Sequence, residues 1–244
     1  MIFYDLNIKV NFEKEISDII EYLLFFKKIG YSRLGINTPL NKIEKFKKLR
    51  NKIDETELKI YSRTNIKAKK IENLKHTLRN FRRKFDLIGL DCSNINVCHW
   101  AIQDSRPDII ILNKFGLRNY NYSTAKLINH NDKAFEISIK DLLFSYPTQK
   151  SKLLRLLIKC IKYYIKADAA FLLTSNSEMG MIYDSRAPRD LISLCYLMDI
   201  PDSIAKKTVT EYPERILENA LKKMDPKVLS NNIRIINEEE ENSI

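Results

Sequence analysis

The run Asp108-Ile109-Ile110-Ile111-Leu112 is apolar at every position after the first. A strand with one face in water alternates apolar and polar residues, whereas a parallel strand covered on both faces does not. This run therefore reads as a strand buried between two layers. Six more strand-like runs surround it: Ile2 to Ile8, Ser32 to Ile36, Leu58 to Ser62, Phe85 to Asp91, Lys133 to Ile139 and Ala169 to Thr174. Helix-like runs fall between them. Glu13 to Ile29 carries Ile16, Ile19, Ile20, Leu23, Leu24 and Phe26 at helical spacing and is stopped by Gly30. Leu40 to Ile53 and Ile66 to Arg83 are amphipathic and lysine-rich, and Asn94 to Ser105 and Ser123 to His130 are shorter.

Repeated β-α units of this kind in one domain favour a closed barrel over an open sheet, with a doubly wound sheet as the alternative. The alternation ends after Thr174. Pro188 to Met198, Pro201 to Thr210 and Glu211 to Met224 then read as three consecutive helices, with Pro188 and Pro201 suited to a first helical turn. The expected fold is α/β, a (β/α) TIM-like barrel with extra C-terminal helices. Residues 1–224 form its single domain, and 225–244 form a C-terminal tail expected to be partly disordered.

Lys plus Arg number 42 against 31 Asp plus Glu, a formal charge of +11. Four of the acids are the consecutive Glu238 to Glu241, so the remainder of the chain carries +15. Such a charge suits a polyanionic partner, nucleic acid ahead of an anionic membrane, although surface lysines also serve plain solubility. No apolar run reaches the length of a membrane span, and Met1-Ile2-Phe3-Tyr4-Asp5 lacks the pattern of a secretory signal, so a cytoplasmic protein is expected. Cys92, Cys98, Cys160 and Cys195 form no Cys-x-x-Cys pair and read as reduced, buried small hydrophobes.

Between Gln149 and Asp168 stand Lys150, Lys152, Arg155, Lys159, Lys162 and Lys166, with no acidic residue among them. Arg155, Lys159, Lys162 and Lys166 are spaced to lie on one helical stripe. Leu153, Leu154, Leu157, Ile158, Ile161, Tyr164 and Ile165 supply an apolar face, so the stripe belongs to a packed helix. Downstream, Ser185-Arg186-Ala187-Pro188-Arg189-Asp190-Leu191 sets two arginines around a proline that opens another helix. Free N–H groups at that helix start, together with Arg186, would favour a phosphate. In the bland alternative Asp190 caps the helix and the arginines form ordinary salt bridges.

Phe135-Glu136-Ile137-Ser138, Asp141-Leu142-Leu143, the basic helix through Lys166, Leu172-Leu173-Thr174-Ser175 and the Ser185 to Leu191 run, in this order, resemble the thirty-kilodalton protein subunit of archaeal and eukaryotic ribonuclease P. The likeness is strong over Ala134 to Leu217 and colinear before it. It implies a barrel-like α/β fold and pairing with protein component 2 alongside other small basic subunits. It also implies support of the ribonuclease P RNA in trimming the 5′ leader of precursor tRNA, with the RNA carrying the chemistry. No catalytic residue or cofactor of the chain's own is then expected, and magnesium enters only through the RNA. Arg186 and Arg189 fall on the two arginines of the family's Arg-Ser-Pro-Arg-Asp motif, with Ala187 replacing the serine and losing a capping hydroxyl. Lys126 falls on a basic position of the helix before Phe135, and Arg118 lies in the preceding loop. With Lys152, Arg155, Lys159 and Lys162 these make the expected RNA-binding set.

Lys67, Lys69, Lys70, Lys75, Arg79, Arg82, Arg83 and Lys84 form a second basic cluster, either RNA-facing or a plain outer helix. Among the aromatics, Tyr163, Tyr164 and Tyr183 lie near basic residues, with Tyr164 on the apolar stripe. The rival function is a barrel-fold metabolic enzyme or a hydrolase acting on a phosphorylated substrate. Its active site would gather at strand C-termini, which offer Asn37, Arg63, Asp91, Asn113, Ser138 and Ser175, too few acids for a carboxylate pair. His76, His99 and His130 are scattered, Cys98-His99 matches no zinc spacing, and no glycine-rich phosphate loop occurs. A third possibility is a nucleic-acid-binding module acting outside ribonuclease P.

Overall fold

The computed structural model describes residues 1–67, 70–91, 94–112, 120–225, 228–230 and 233–234. Seven parallel strands follow one another in a single sheet: β1 (Tyr4–Lys9), β2 (Arg33–Asn37), β3 (Lys59–Lys67), β4 (Leu87–Asp91), β5 (Ile109–Leu112), β6 (Ala134–Ser138) and β7 (Ala170–Thr174). Between them run α1 (Ile16–Lys28), α2 (Ile43–Ile53), α3 (Ile71–Phe81), α4 (Ile95–Gln103), α5 (Tyr122–His130), the short α6 (Lys140–Leu143) and the long α7 (Pro147–Lys166). After β7 come α8 (Pro188–Leu197), α9 (Asp202–Lys207) and α10 (Glu211–Lys222), then a small antiparallel pair, β8 (Val228–Ser230) and β9 (Ile233–Arg234), within the stretch read as tail. The architecture is the TIM-like α/β barrel that the sequence implies, nearly closed.

All seven strands coincide with the apolar runs, but β3 continues to Lys67, so the third helix begins at Ile71 and not at Ile66. Arg63 is therefore a mid-strand residue pointing into the barrel, not a strand-end group. Pro201 precedes α9 as its cap, whereas Pro188 does occupy the first turn of α8.

The barrel does not close through an eighth strand. Beside β1 runs the segment that follows β7, where Lys9 N donates to Ser177 O at 2.8 Å and Met179 N donates to Lys9 O at 3.0 Å. Asp5 clamps the same seam, accepting bonds from Ser175 N, Ser175 Oγ and Asn7 N. At the other end of the strands α10 acts as a plug. Its Ile216, Leu217 and Ala220 pack with Leu6, Leu87, Ile109, Ala134, Ala170 and Leu172 inside the barrel. Lys223 reaches Asp108 at 2.9 Å, and the same carboxylate takes Arg82 and Ile88 N. Arg82 also donates to the carbonyls of Phe85, Asp86 and Ala220. That buried arginine of the second basic cluster is thus a structural pin.

Above the plug the interior is polar and filled. Arg63, with no exposed surface, donates to Glu136 of β6, to Leu6 O at 2.7 Å and to Asn65 at 2.8 Å. The second oxygen of Glu136 accepts from Asn7 at 2.6 Å and from Thr174 at 2.8 Å. Gly89 makes room for this network: a Cβ there would lie 2.9 Å from the Arg63 guanidinium and 2.4 Å from Asn65 Oδ1. A buried charge keeps its cost low only while every partner stays in place.

Two outcomes follow from the interior. Arg63→Met and Glu136→Leu are each expected to cost about 3–5 kcal/mol by urea unfolding, because each strands the opposite charge. The double variant should cost less than the sum of the two, and simple additivity would refute the coupling. Burial outweighs the three hydrogen bonds to Asp5 and pushes its carboxyl from 3.8 up to about 6. A raised carboxyl contributes stability that is present at low pH and lost as pH rises through that value. Carboxyl-carbon NMR should therefore find Asp5 titrating near 6; ordinary carboxylate behaviour would show that the hydrogen bonds dominate.

Candidate nucleic-acid interface

The twenty residues of α7 begin with Pro147 in the first turn and form a rod of about 30 Å on the outside of the barrel. Leu153, Leu157, Cys160, Ile161 and Tyr164 are buried on its inner face, and Tyr164 stacks on Phe135 of β6 with ring centroids 4.4 Å apart. Tyr164 is therefore core. Lys152, Arg155, Lys159, Lys162 and Lys166 are exposed on the outer face, and none has a carboxylate partner among the described residues. Side chains three and four apart on a helix are neighbours, so these cations repel one another slightly and hold an uncompensated field.

The neighbouring α5 extends that field. Lys126 Nζ lies 4.8 Å, and Lys166 Nζ 5.2 Å, from the centroid of the Tyr122 ring. One aromatic face thus gathers an ammonium from each helix and joins Lys126 to the end of the α7 row. Tyr122 was absent from the expected set. Its spacing of four from Lys126 on a helix was a usable signal, but the contact with Lys166 spans the fold and has no local signature.

Arg186 ends the loop from β7 into α8 and Arg189 stands in the first turn of α8, with the loop tied to the α1–β2 turn by the Tyr31 hydroxyl donating to Arg186 O at 3.0 Å. The Arg186 guanidinium turns back to the carbonyls of Tyr183 and Ser185, at 2.6 and 2.7 Å. Arg189 is exposed and has no ion-pair partner among the described residues. Ala187 is the cap position of α8, and Asp190 reaches back to accept from Ala187 N at 3.0 Å. The chain's own carboxylate therefore takes one of the donors at this helix start. Among the described residues neither arginine forms the salt bridge of the bland alternative, while Asp190 does cap the helix as that alternative has it.

Lys140 ties this loop to the start of the α7 region, with Glu178 at 3.1 Å and Asp184 at 2.8 Å. Of the tyrosines considered for base stacking, Tyr183 is 87% exposed, while Tyr163 packs against the core. Tyr146, just before α7, is 75% exposed and adds a second free ring that the sequence did not single out. Arg118 lies outside the described residues, as do Lys69, Cys92 and Asn113. Cys98, Cys160 and Cys195 are buried, and burial pushes the Cys160 and Cys195 thiols up to about 12. Among the described residues no group of three or more His, Cys, Asp or Glu could hold a metal ion, and no helix is long and apolar enough to cross a membrane.

With that arrangement in view, the profile of the family described as RNase P subunit p30 matches residues 2–225. The chain belongs to the RNase P subunit p30 family. A relative named Ribonuclease P protein component 3, from Methanothermobacter thermautotrophicus, is 26% identical over 157 residues, which span 64% of this chain and 63% of the relative. That is less than two thirds of the relative's length. Another of the same name, from Methanococcoides burtonii, is 24% identical over 88% of this chain and 87% of its own. Among solved structures, a chain of the cryo-EM structure of archaeal Ribonuclease P with mature tRNA superposes with a TM-score of 0.78 at 21% identity, covering 96% of this chain and 98% of that one. Histidinol phosphate phosphatase from Lactococcus lactis, solved with zinc, L-histidinol and phosphate, superposes with a TM-score of 0.51 at 9% identity over 89% of this chain and 93% of its own. Both matches speak for the fold.

The capping geometry yields a direct check within this p30-family member. Asp190→Ala should lower unfolding stability by about 1 kcal/mol, the usual cost of losing an N-terminal cap. Arg189→Ala should stay within about 0.5 kcal/mol, as expected of an exposed side chain without partners. Equal, large losses in both would mean that Arg189 is structural.

Proposed function

We propose that this chain is a protein subunit of ribonuclease P that binds and supports the catalytic RNA during removal of the 5′ leader from precursor tRNA. The observation that carries the reading is the row of cations, without carboxylate partners among the described residues, fixed on a rigid outer helix and continued by Lys126 through Tyr122. Lysine and arginine held on a stiff scaffold neutralise phosphates by position and charge and identify no bases. The RNA-facing set is Lys126, Lys152, Arg155, Lys159 and Lys162, with Lys166 added by the geometry and Arg186 and Arg189 on a second element. Tyr183 and Tyr146 are free to stack on unpaired bases.

Catalysis is assigned to the RNA, with magnesium entering through it. In support, Arg63 and Glu136 fill the barrel interior and spend their charges on each other. The partners follow the family: the ribonuclease P RNA, precursor tRNA through the holoenzyme, and protein component 2 with other small basic subunits. A metabolic enzyme on this barrel is the weaker reading, because the described strand ends present neither an accessible carboxylate pair nor a metal cluster.

The test is reconstitution of precursor-tRNA cleavage from the RNA, with and without this chain and its partner subunit, over a salt series. Addition of the chain should raise the rate or lower the magnesium requirement. Arg155→Gln/Lys159→Gln/Lys162→Gln should keep its melting temperature, weaken RNA binding and flatten the dependence of log affinity on log salt by about 2 to 3, or 0.7–0.9 per lost phosphate contact. An unchanged slope would remove α7 from the interface. Turnover of a small phosphorylated metabolite by the chain alone would overturn the assignment.

A further inference from the structure

Apart from Met1, the described large apolar side chains that keep more than half of their surface in water are Phe144, Tyr146, Met181, Tyr183 and Leu197. Four of these five stand on two segments. Phe144 and Tyr146 lie in the turn from α6 into α7, and Met181 and Tyr183 lie in the loop from β7 into α8. The segments leave the C-terminal ends of the neighbouring strands β6 and β7 and are tied together by Lys140. Its ammonium holds Asp184, next to Tyr183, and its carbonyl accepts from Phe144 N at 3.1 Å. Single exposed apolar groups carry no meaning, but groups collected on one rim mark a contact surface.

Cations flank these rings. Arg186 Nη1 bonds the carbonyl of Tyr183 itself, and the Nε and Nη2 of the same guanidinium donate to no group among the described residues. Lys150 N donates to Tyr146 O at 2.8 Å, which places the ring one helical turn ahead of the α7 row. Of the carboxylates on the two segments, Glu178 and Asp184 are held by Lys140, and Asp141 has no ion pair among the described residues. An aromatic ring beside a fixed guanidinium has the two parts that a nucleotide needs, a flat face for the base and a cation for the phosphate. Bases inside a duplex are already stacked on their neighbours, so only an unpaired base can present its face to such a ring.

We propose that the rim formed by the α6–α7 turn and the β7–α8 loop is a binding site for unpaired nucleotides. Bases stack on Tyr183 and Tyr146, Phe144 and Met181 form the apolar border, and Arg186 takes a phosphate through Nε and Nη2. This inference rests on the RNA reading and divides its labour: α7 meets phosphates of any folded RNA, whereas the rim selects segments that are not paired. Stacking tolerates every base, so the selection is for strandedness and not for sequence.

Two RNAs of equal length test it by binding to the full chain at fixed salt, a single strand carrying 5-iodouridine and a fully paired duplex. Tyr183→Ala and Tyr146→Ala should each weaken single-strand binding about 5- to 20-fold, with duplex binding, salt slope and melting temperature unchanged. Tyr183→Phe, which keeps the ring, should retain the affinity. Arg186→Gln should instead reduce the single-strand salt slope by about 0.7, one phosphate contact. Photolysis with the unmodified chain should link the iodouridine to Tyr183 or Tyr146. Equal losses on strand and duplex, or links confined to α7, would overturn the proposal. So would tyrosine variants that bind both RNAs normally but lose the partner subunit, since the patch would then belong to a protein. If the tyrosine variants bind normally while Arg155→Gln/Lys159→Gln/Lys162→Gln does not, this inference fails and the RNA reading stands; normal binding by all of them fails both.

Discussion

The guanidinium of Arg63, sealed inside the barrel against Glu136, is the constraint on which the rest of the molecule turns. Isolated burial of either charge would cost several kcal/mol, so the strands that contribute Leu6 O, Asn7, Asn65, Glu136 and Thr174 must hold one register. A slip of one residue in any of them would invert its side chains and leave the network unpaired. Gly89 belongs to the same constraint because a side chain there would collide with the guanidinium. A polar middle layer therefore specifies register, while α10 and the inner leucines beneath it supply the apolar burial.

A barrel whose interior is so determined offers a rigid outside. On α7, burying Leu153, Leu157, Ile161 and Tyr164 contributes roughly 1.5–3 kcal/mol for each large side chain. Same-sign neighbours three and four apart subtract only a few tenths each. Packing therefore wins easily, and the helix tolerates a row of cations that a less anchored helix would have to relieve with acids. Elsewhere the chain does relieve its charges: Arg82 and Lys223 share Asp108, Lys140 bridges Glu178 and Asp184, and Arg106 forks onto Asp104. The row on α7 is left without such partners among the described residues.

The strand order was legible in the sequence because parallel strands covered on both faces leave continuous apolar runs such as Ile109 to Leu112. The α7 row was legible because helical periodicity is local. Arg63 and Asn65 were not, since polar residues facing a barrel interior imitate a strand ending in a loop, and the apolar run stops at Ser62 while β3 continues to Lys67. Glu136 stood inside an apolar strand, and that mismatch was the available sign of a buried partner. Arg82 looked like one more cation of a basic helix, and only the tertiary position of Asp108 and of the Ala220 carbonyl shows it to be a pin. The Tyr122 contact with Lys166 and the return of Asp190 to Ala187 depend on geometry that spacing alone leaves open.

Similar barrels serve unlike ends, and fold alone does not assign function. The Lactococcus lactis phosphatase structure holds zinc, L-histidinol and phosphate on a similar fold. In the present chain the corresponding architecture closes its centre with an arginine–glutamate pair whose hydrogen-bonding capacity is largely consumed by neighbouring strands. Charges that satisfy each other exert little field on a ligand, whereas the ammonium and guanidinium groups along α5, α7 and the start of α8 exert theirs on solvent. Chemistry at a distance from the barrel axis then follows from electrostatics: a polyanion lowers its free energy against the outer helices, and the interior gives it nothing to approach. The scaffold acts by holding those cations still.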